Sequence, residues 1–239
     1  MVCPPTIPLW MVVLGAAVAI IVAKGLFGGI GSNVFNPALT GRAVLFISFP
    51  TAMGATWLAP KTISAVDAIS SATVLSQIKA DTFVVNSQSL LDLFIGNKAG
   101  CIGETSILLI LISFIFLLVT KIIDWRAPIA MIFTVFICTF IAGAISASSL
   151  QVGFEKGLLS LLTGGVMFGA TFMVTDYATT PVTKPGRLIF GFGCGLITFL
   201  IRQFGGYPEG VMFSILIMNS IAPFLNNLTV RMYGYGRKK

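Results

Sequence analysis

Long stretches without a single charge run through this chain, and they decide what it can fold into. Uncharged apolar windows recur at Met1–Ala23, Ala43–Ala59, Thr105–Thr120, Ala127–Phe154, Gly157–Thr175, Leu188–Ile201 and Gly210–Val230. Most approach the ~20 residues an α-helix needs to cross a hydrocarbon core. Leu, Ile and Phe fill them without two-residue alternation, which argues against a transmembrane barrel. With 56% hydrophobic and 10% charged residues, a chain of 239 residues has too much apolar surface for one water-soluble core. The expectation is an all-α integral membrane protein with about seven transmembrane segments, some broken or re-entrant, forming one polytopic domain over residues 1–239. The first window reads as a genuine span rather than a cleaved leader, because Met1-Val2-Cys3-Pro4-Pro5 has no basic region and Trp10–Ala23 runs straight into Lys24.

The net charge of +7 does not point to nucleic acid, since the 15 basic residues are scattered at segment ends instead of gathered in a stripe with aromatics. They carry orientation instead. Lys121 and Arg126 flank one short connection, Lys184 and Arg187 another, and Arg231, Arg237, Lys238 and Lys239 follow the last window. These three regions, and with them the C-terminus, are expected on the cytoplasmic side. Counting spans backward puts the segment Pro50–Glu104 on the outer face. Cys3, Cys101, Cys138 and Cys194 are far apart, with no C-x-x-C pair and no histidine in the chain. That disfavours a zinc site, a His-ligated haem and a self-contained iron–sulfur cluster, and each cysteine reads as a small buried hydrophobe.

The apolar windows are interrupted in ways smooth helices are not. Phe27-Gly28-Gly29-Ile30-Gly31-Ser32-Asn33-Val34-Phe35-Asn36-Pro37 places two amides near membrane depth, where irregular backbone survives only inside protein or along a wet cavity. An ordinary loop with an Asn-Pro helix start is the even alternative. A second Phe-Gly-Gly at Phe204-Gly205-Gly206 hints at an internal repeat with a site at its interface. The loop Thr175–Arg187 contains Asp176 and Thr179; Asp176 reads either as a turn cap or as part of a cofactor or ion contact. Arg42 and Glu209 fall under the same rule, with snorkelling or capping expected of each taken alone. Between Pro50 and Glu104 the composition turns hydroxyl-rich around Asp67-Ala68-Ile69-Ser70-Ser71-Ala72-Thr73. A short helix over Ala72–Lys79, capped by Ser70 or Ser71, would leave Thr73 near its N-terminus.

Five segments occur together and in order: Gly28-Gly29-Ile30-Gly31-Ser32-Asn33-Val34-Phe35-Asn36-Pro37-Ala38; Asp67-x-x-Ser70-Ser71-Ala72-Thr73; Thr175-Asp176-x-x-Thr179-x-Pro181; Phe204-Gly205-Gly206-Tyr207-Pro208-Glu209-Gly210-Val211; and Met218-Asn219-x-x-Ala222-Pro223. In this the chain resembles the family of RnfD and NqrB. It looks closer to the Rnf member, a component of an ion-translocating ferredoxin:NAD oxidoreductase, than to the member of the Na+-pumping NADH:quinone oxidoreductase. The resemblance implies FMN held covalently through a phosphoester on Thr73, with Asp67, Ser70, Ser71 and Ala72 as the recognition motif of a separate flavin transferase outside the cytoplasm. Ser71 stands where related proteins often have Gly, a change expected to be tolerated. The resemblance also implies redox partners with iron–sulfur or flavin groups, coupling to Na+ or H+, and a bacterial or archaeal cell membrane. A second, non-covalent flavin such as riboflavin fits the same picture, with Asn33, Asn36, Asp176 and Thr179 as candidate residues of a second cofactor or ion pocket. Family members carry further spans before Pro4-Pro5-Thr6-Ile7-Pro8-Leu9-Trp10, so this chain is expected to be N-terminally short. No general base or nucleophile of its own is expected. A channel or secondary transporter, or a purely structural subunit, is the competing expectation.

Overall fold

The computed structural model describes residues 2–54, 73–79, 87–207 and 209–232. The motif residues Asp67, Ser70, Ser71 and Ala72 lie outside the described residues, as does the basic tail from 233 on. The described elements are helical: α1 Leu9–Gly25, α2 Pro37–Ser48, α3 Pro50–Gly54, α4 Val74–Lys79, α5 Ser87–Ile95, α6 Ile107–Val119, α7 Arg126–Ala147, α8 Leu150–Leu162, α9 Val166–Met173, α10 Lys184–Phe204 and α11 Val211–Met232. Their starts follow local chemistry. Asn36 caps α2 by accepting from the N–H groups of Ala38 (3.1 Å) and Leu39 (3.3 Å), with Pro37 at the first position where a missing N–H costs nothing. Thr183 and Pro185 do the same for α10, the Thr183 hydroxyl accepting from Gly186 N–H at 3.2 Å.

Among the described residues three helices, α7, α10 and Val211–Val230 of α11, are long and apolar enough to cross a bilayer. α8 and α9 pass that test as a pair bent by 61°, and α1, α2 and α6 are shorter apolar helices. The windows expected at Ala127–Phe154 and Gly157–Thr175 divide elsewhere. α7 stops at Ala147 because Ser148 turns left-handed (φ 49°) and Ser149 is extended. The next helix therefore begins at Leu150, and the real interruption falls at Thr163-Gly164-Gly165.

α7 packs between α8 and α10, and α10 packs on α11. Gly191 and Gly195, one turn apart on α10, make the α7 contact possible: a methyl group at Gly191 would collide with the Ala127 carbonyl, and one at Gly195 would sit 2.8 Å from the Met131 carbonyl. Met131, Val135, Val166, Phe190, Cys194 and Ile215 fill the centre. Large apolar side chains such as Ile112, Phe116, Phe133, Ile145, Phe192 and Phe224 point outward, while Thr198, Ser214 and Thr229 are buried. That inside-out distribution suits lipid. The buried hydroxyls bond across helices, Thr198 to Ser214 at 2.8 Å and Thr183 to Thr229 at 2.6 Å, because hydrocarbon offers no other partner. The protein is a multi-pass membrane protein. Cys101 and Cys194 are buried as expected of them, whereas Cys3 and Cys138 are only half-buried. Among the described residues no cluster could hold a metal ion.

Two ends of the bundle are distinguishable. Asp124, ahead of α7, takes Arg187 at 2.7 Å and Arg126 at 2.8 Å, so the two short basic connections meet at one end. α10 leaves that end at Lys184 and, at ~1.5 Å per residue, reaches Arg202 roughly 27 Å away.

Candidate functional site

At the far end of α10 a cavity of about 280 Å³ opens among α2, α4, the connection after α5, the α8–α9 break and the start of α11. Thr73 stands on its wall as the cap of α4: its hydroxyl oxygen accepts from Ser76 N–H at 3.2 Å and lies 3.0 Å from the Ser76 hydroxyl. The expected cap, Ser70 or Ser71, is thus replaced by Thr73 itself, whose oxygen already reaches the third N–H of the turn. Lys79 anchors the other end of α4, donating to the carbonyls of Gly205 and Tyr207, the latter at 3.1 Å. Phe46, Tyr207 and Phe213 build an aromatic wall, with ring centroids 5.2 to 6.1 Å apart.

Below that wall lies a nest of buried charge. Arg42 on α2 pairs with Glu209 at 2.9 Å across 167 residues of sequence, and Glu209 also accepts Gly165 N–H at 2.9 Å. Neither residue snorkels. Glu104 is buried and accepts the N–H of Cys101 at 3.0 Å; Lys98, also buried, donates to the Leu162 carbonyl at 2.6 Å. Arg202 reaches back from α10 to the carbonyls of Ser160 (2.7 Å) and Thr163 (3.2 Å), closing the last turn of α8 where it stops short. The Nε atoms of Arg42 and Arg202 are buried and find no acceptor among the described residues. Burial lowers the Lys98 ammonium to about 8, with Glu104 opposing and Arg202 adding to the effect. Burial works against the Glu209 carboxylate, yet Arg42, Arg202 and Gly165 N–H hold it below the ordinary range.

The second set of candidates lies elsewhere. Asn33, Asn36 and Thr179 are buried, and Asn36 donates to the Met173 carbonyl at 3.5 Å, so the first break does meet the end of α9. With its amide turned to satisfy both neighbours, buried Asn219 accepts Asn36 N–H at 3.0 Å and donates to the Ile215 carbonyl at 3.3 Å. Asp176 is half-buried and caps its own turn, accepting Ala178 N–H at 3.3 Å and the Thr179 hydroxyl at 3.2 Å. These residues gather at the start of α2, away from the Thr73 cavity. Sequence reasoning singled out Arg42, Glu209 and Thr73 but passed over Lys98, Glu104 and Arg202. The signal for Glu104 and Arg202 was a charge placed against an apolar window; Lys98 stands seven residues ahead of one.

A family model described as NQR2, RnfD, RnfE matches residues 1–234. The chain belongs to this family. Within it, the chain is 41% identical over 235 residues to the D-type subunit of the proton-translocating ferredoxin:NAD(+) oxidoreductase complex of Clostridium ljungdahlii, covering 95% of this chain and 69% of the relative. Against the D-type subunit of the Na(+)-translocating ferredoxin:NAD(+) oxidoreductase complex of Acetobacterium woodii it is 41% identical over 239 residues, 99% of this chain and 70% of that one. The D-type subunit of an ion-translocating oxidoreductase complex from Stutzerimonas stutzeri is 36% identical over 264 residues, with 98% and 72% covered. Such NQR2, RnfD, RnfE relatives named for both proton and sodium translocation are equally similar to this chain, so identity does not choose the ion.

Proposed function

We propose that this chain is the D-type membrane subunit of an ion-translocating ferredoxin:NAD oxidoreductase complex, joined to other iron–sulfur and flavin subunits, and that Thr73 carries FMN through a phosphoester. The observation that carries the reading is the position of the Thr73 hydroxyl on the wall of a cavity with an aromatic side, two buried cations and an Arg42 Nε–H without an acceptor among the described residues. Those residues fit a flavin nucleotide: rings offer a flat face to Phe46, Tyr207 and Phe213, and Arg42 and Lys98 offer donors to ring carbonyls or phosphate. An ester oxygen at Thr73 can still accept Ser76 N–H, so attachment and helix capping are compatible. When bound, the flavin supplies the electron relay; the chain supplies binding, orientation and electrostatics. The Thr73 end lies opposite the Asp124–Arg187 end, which supports an outer-face position for Thr73 and a maturation step by a flavin transferase there.

The test separates chemistry from capping. Thr73→Val removes both hydroxyl and cap, whereas Thr73→Asn keeps a capping acceptor and removes only the hydroxyl. After co-expression with a flavin transferase, the native chain should give a fluorescent band on a denaturing gel and an FMN adduct by intact mass. Both variants should lose the adduct, and Thr73→Asn should still insert and assemble. An adduct surviving on Thr73→Asn rejects the assignment.

A further inference from the structure

The two acids of the cavity crowd one another. Glu209 and Glu104 converge on Gly165: a methyl group there would lie 2.5 Å from one Glu209 oxygen and 2.8 Å from one Glu104 oxygen. Glu209 has a short ion pair with Arg42 and a backbone donor. Glu104 has a single backbone donor on one oxygen and no ion pair among the described residues, and its other oxygen is turned toward Gly165 and Glu209. Like charges crowded in a buried site are relieved when one carboxyl takes a proton, and the one without a direct ion pair is the one to take it.

We propose that Glu104 is a proton-binding group of the Thr73 cavity, neutral at physiological pH, placed to give its proton to the group the cavity holds. Among the described residues the titratable groups around it are Lys98 and the neutral Cys101 thiol on its own connection, Arg42 from α2, Glu209 ahead of α11 and Arg202 from α10. Burial drives the Glu104 carboxyl above the ordinary range and Glu209 drives it further, against the pull of Arg42 and Lys98. A second observation points to a ligand in the same place. The Arg42 side chain is 92% buried, since only 8% is exposed, and it lines the cavity with its Nε–H unpartnered among the described residues. The site therefore offers one acid proton and one orphan donor side by side. The donor role rests on the flavin reading above: a flavin that takes two electrons from a partner subunit takes at least one proton at N5. With the flavin in the cavity, the proton would leave the Glu104 oxygen for the reduced ring, and the carboxylate left behind would face Lys98 and Arg202.

The experiment uses the purified complex containing the full chain and reads infrared absorption of protonated carboxyl groups, which needs no turnover. At pH 7 the native complex should show a carboxylic-acid C=O band that shifts in D2O, and Glu104→Gln, which keeps the acceptor for Cys101 N–H, should remove it. Glu209→Gln should also lose the band at pH 7 and regain it at lower pH, because Arg42 is then free to hold an ionised Glu104. Glu104→Asp guards against a folding defect and should retain a displaced band. On chemical reduction the band should fall in the native complex and stay constant in Thr73→Asn. Absence of the band in the native complex, or its survival in Glu104→Gln, overturns the proton site; a band indifferent to reduction overturns the donor role. Failure of the flavin reading shows separately, as FMN retained on Thr73→Asn, and leaves the static band to decide Glu104.

Discussion

Arg42 and Glu209 show how a single pair can set the terms of a membrane site. Each alone is an expensive guest in an apolar helix or its margin, and each is tolerable because the other lies 2.9 Å away with Gly165 N–H completing the carboxylate. Arg42→Met leaves Glu209, 21% exposed, charged without its cation and should cost about 3 kcal/mol, the low end for a buried pair, read as a lower thermal midpoint of the purified complex. The double variant Arg42→Met/Glu209→Gln should recover part of that loss, since no charge is then stranded. The pH dependence has a defined sign. The folded Glu209 carboxyl sits below its ordinary range, so the stabilisation is complete above that range, declines below it and is gone once pH has fallen through the lower folded value. The gap between native and Arg42→Met should therefore narrow toward acid pH. A gap that widened there would mean the pair does not hold Glu209 ionised.

At the scale of elements, close approach of α7 and α10 is what the glycine pattern of α10 provides, and not every glycine matters alike. Gly191 faces the fixed carbonyl of Ala127, whereas Gly193 faces the thioether of Met218, which is the flexible end of a side chain. Gly191→Ala should destabilise by about 1–3 kcal/mol, and Gly193→Ala should be close to neutral, in the same thermal measurement. Helix positions were legible in the sequence where a capping residue headed the run, as at Asn36-Pro37, whereas the Thr183 cap of α10 emerged only in the structure. The break at Thr163-Gly164-Gly165 was not, because Leu-Leu-Thr-Gly-Gly-Val-Met keeps its apolar character straight through. What breaks it is tertiary: Gly164 is left-handed (φ 66°), and the carbonyls freed at the end of α8 are taken up by Arg202 and Lys98.

Across the whole molecule, charge counting predicted that the connections at Lys121–Arg126 and Lys184–Arg187 share a side, and Asp124 ties them together physically. The cavity residues were harder to find. Lys98 and Glu104 become neighbours of Glu209 only once the chain has folded over more than a hundred residues, and no local spacing encodes that. The orientation proposed above has its own check: single cysteines placed at 73 and at 124, in a background lacking Cys3, Cys101, Cys138 and Cys194, should react with a membrane-impermeant reagent from the outside and the inside respectively. Labelling of position 73 from the inside alone would reverse the topology.

The bend between α8 and α9 has an electrical consequence. It leaves α9, eight residues and about 12 Å long, as the stretch between the charge nest at Gly165 and the polar turn at Asp176. A full hydrocarbon core is ~30 Å thick. Where water reaches both clusters, the membrane voltage drops across the short insulating layer between them, so the local field is more than twice that of an unbroken bilayer. A unit charge carried the length of α9 then works against most of the potential, about 2.3 kcal/mol for each 100 mV.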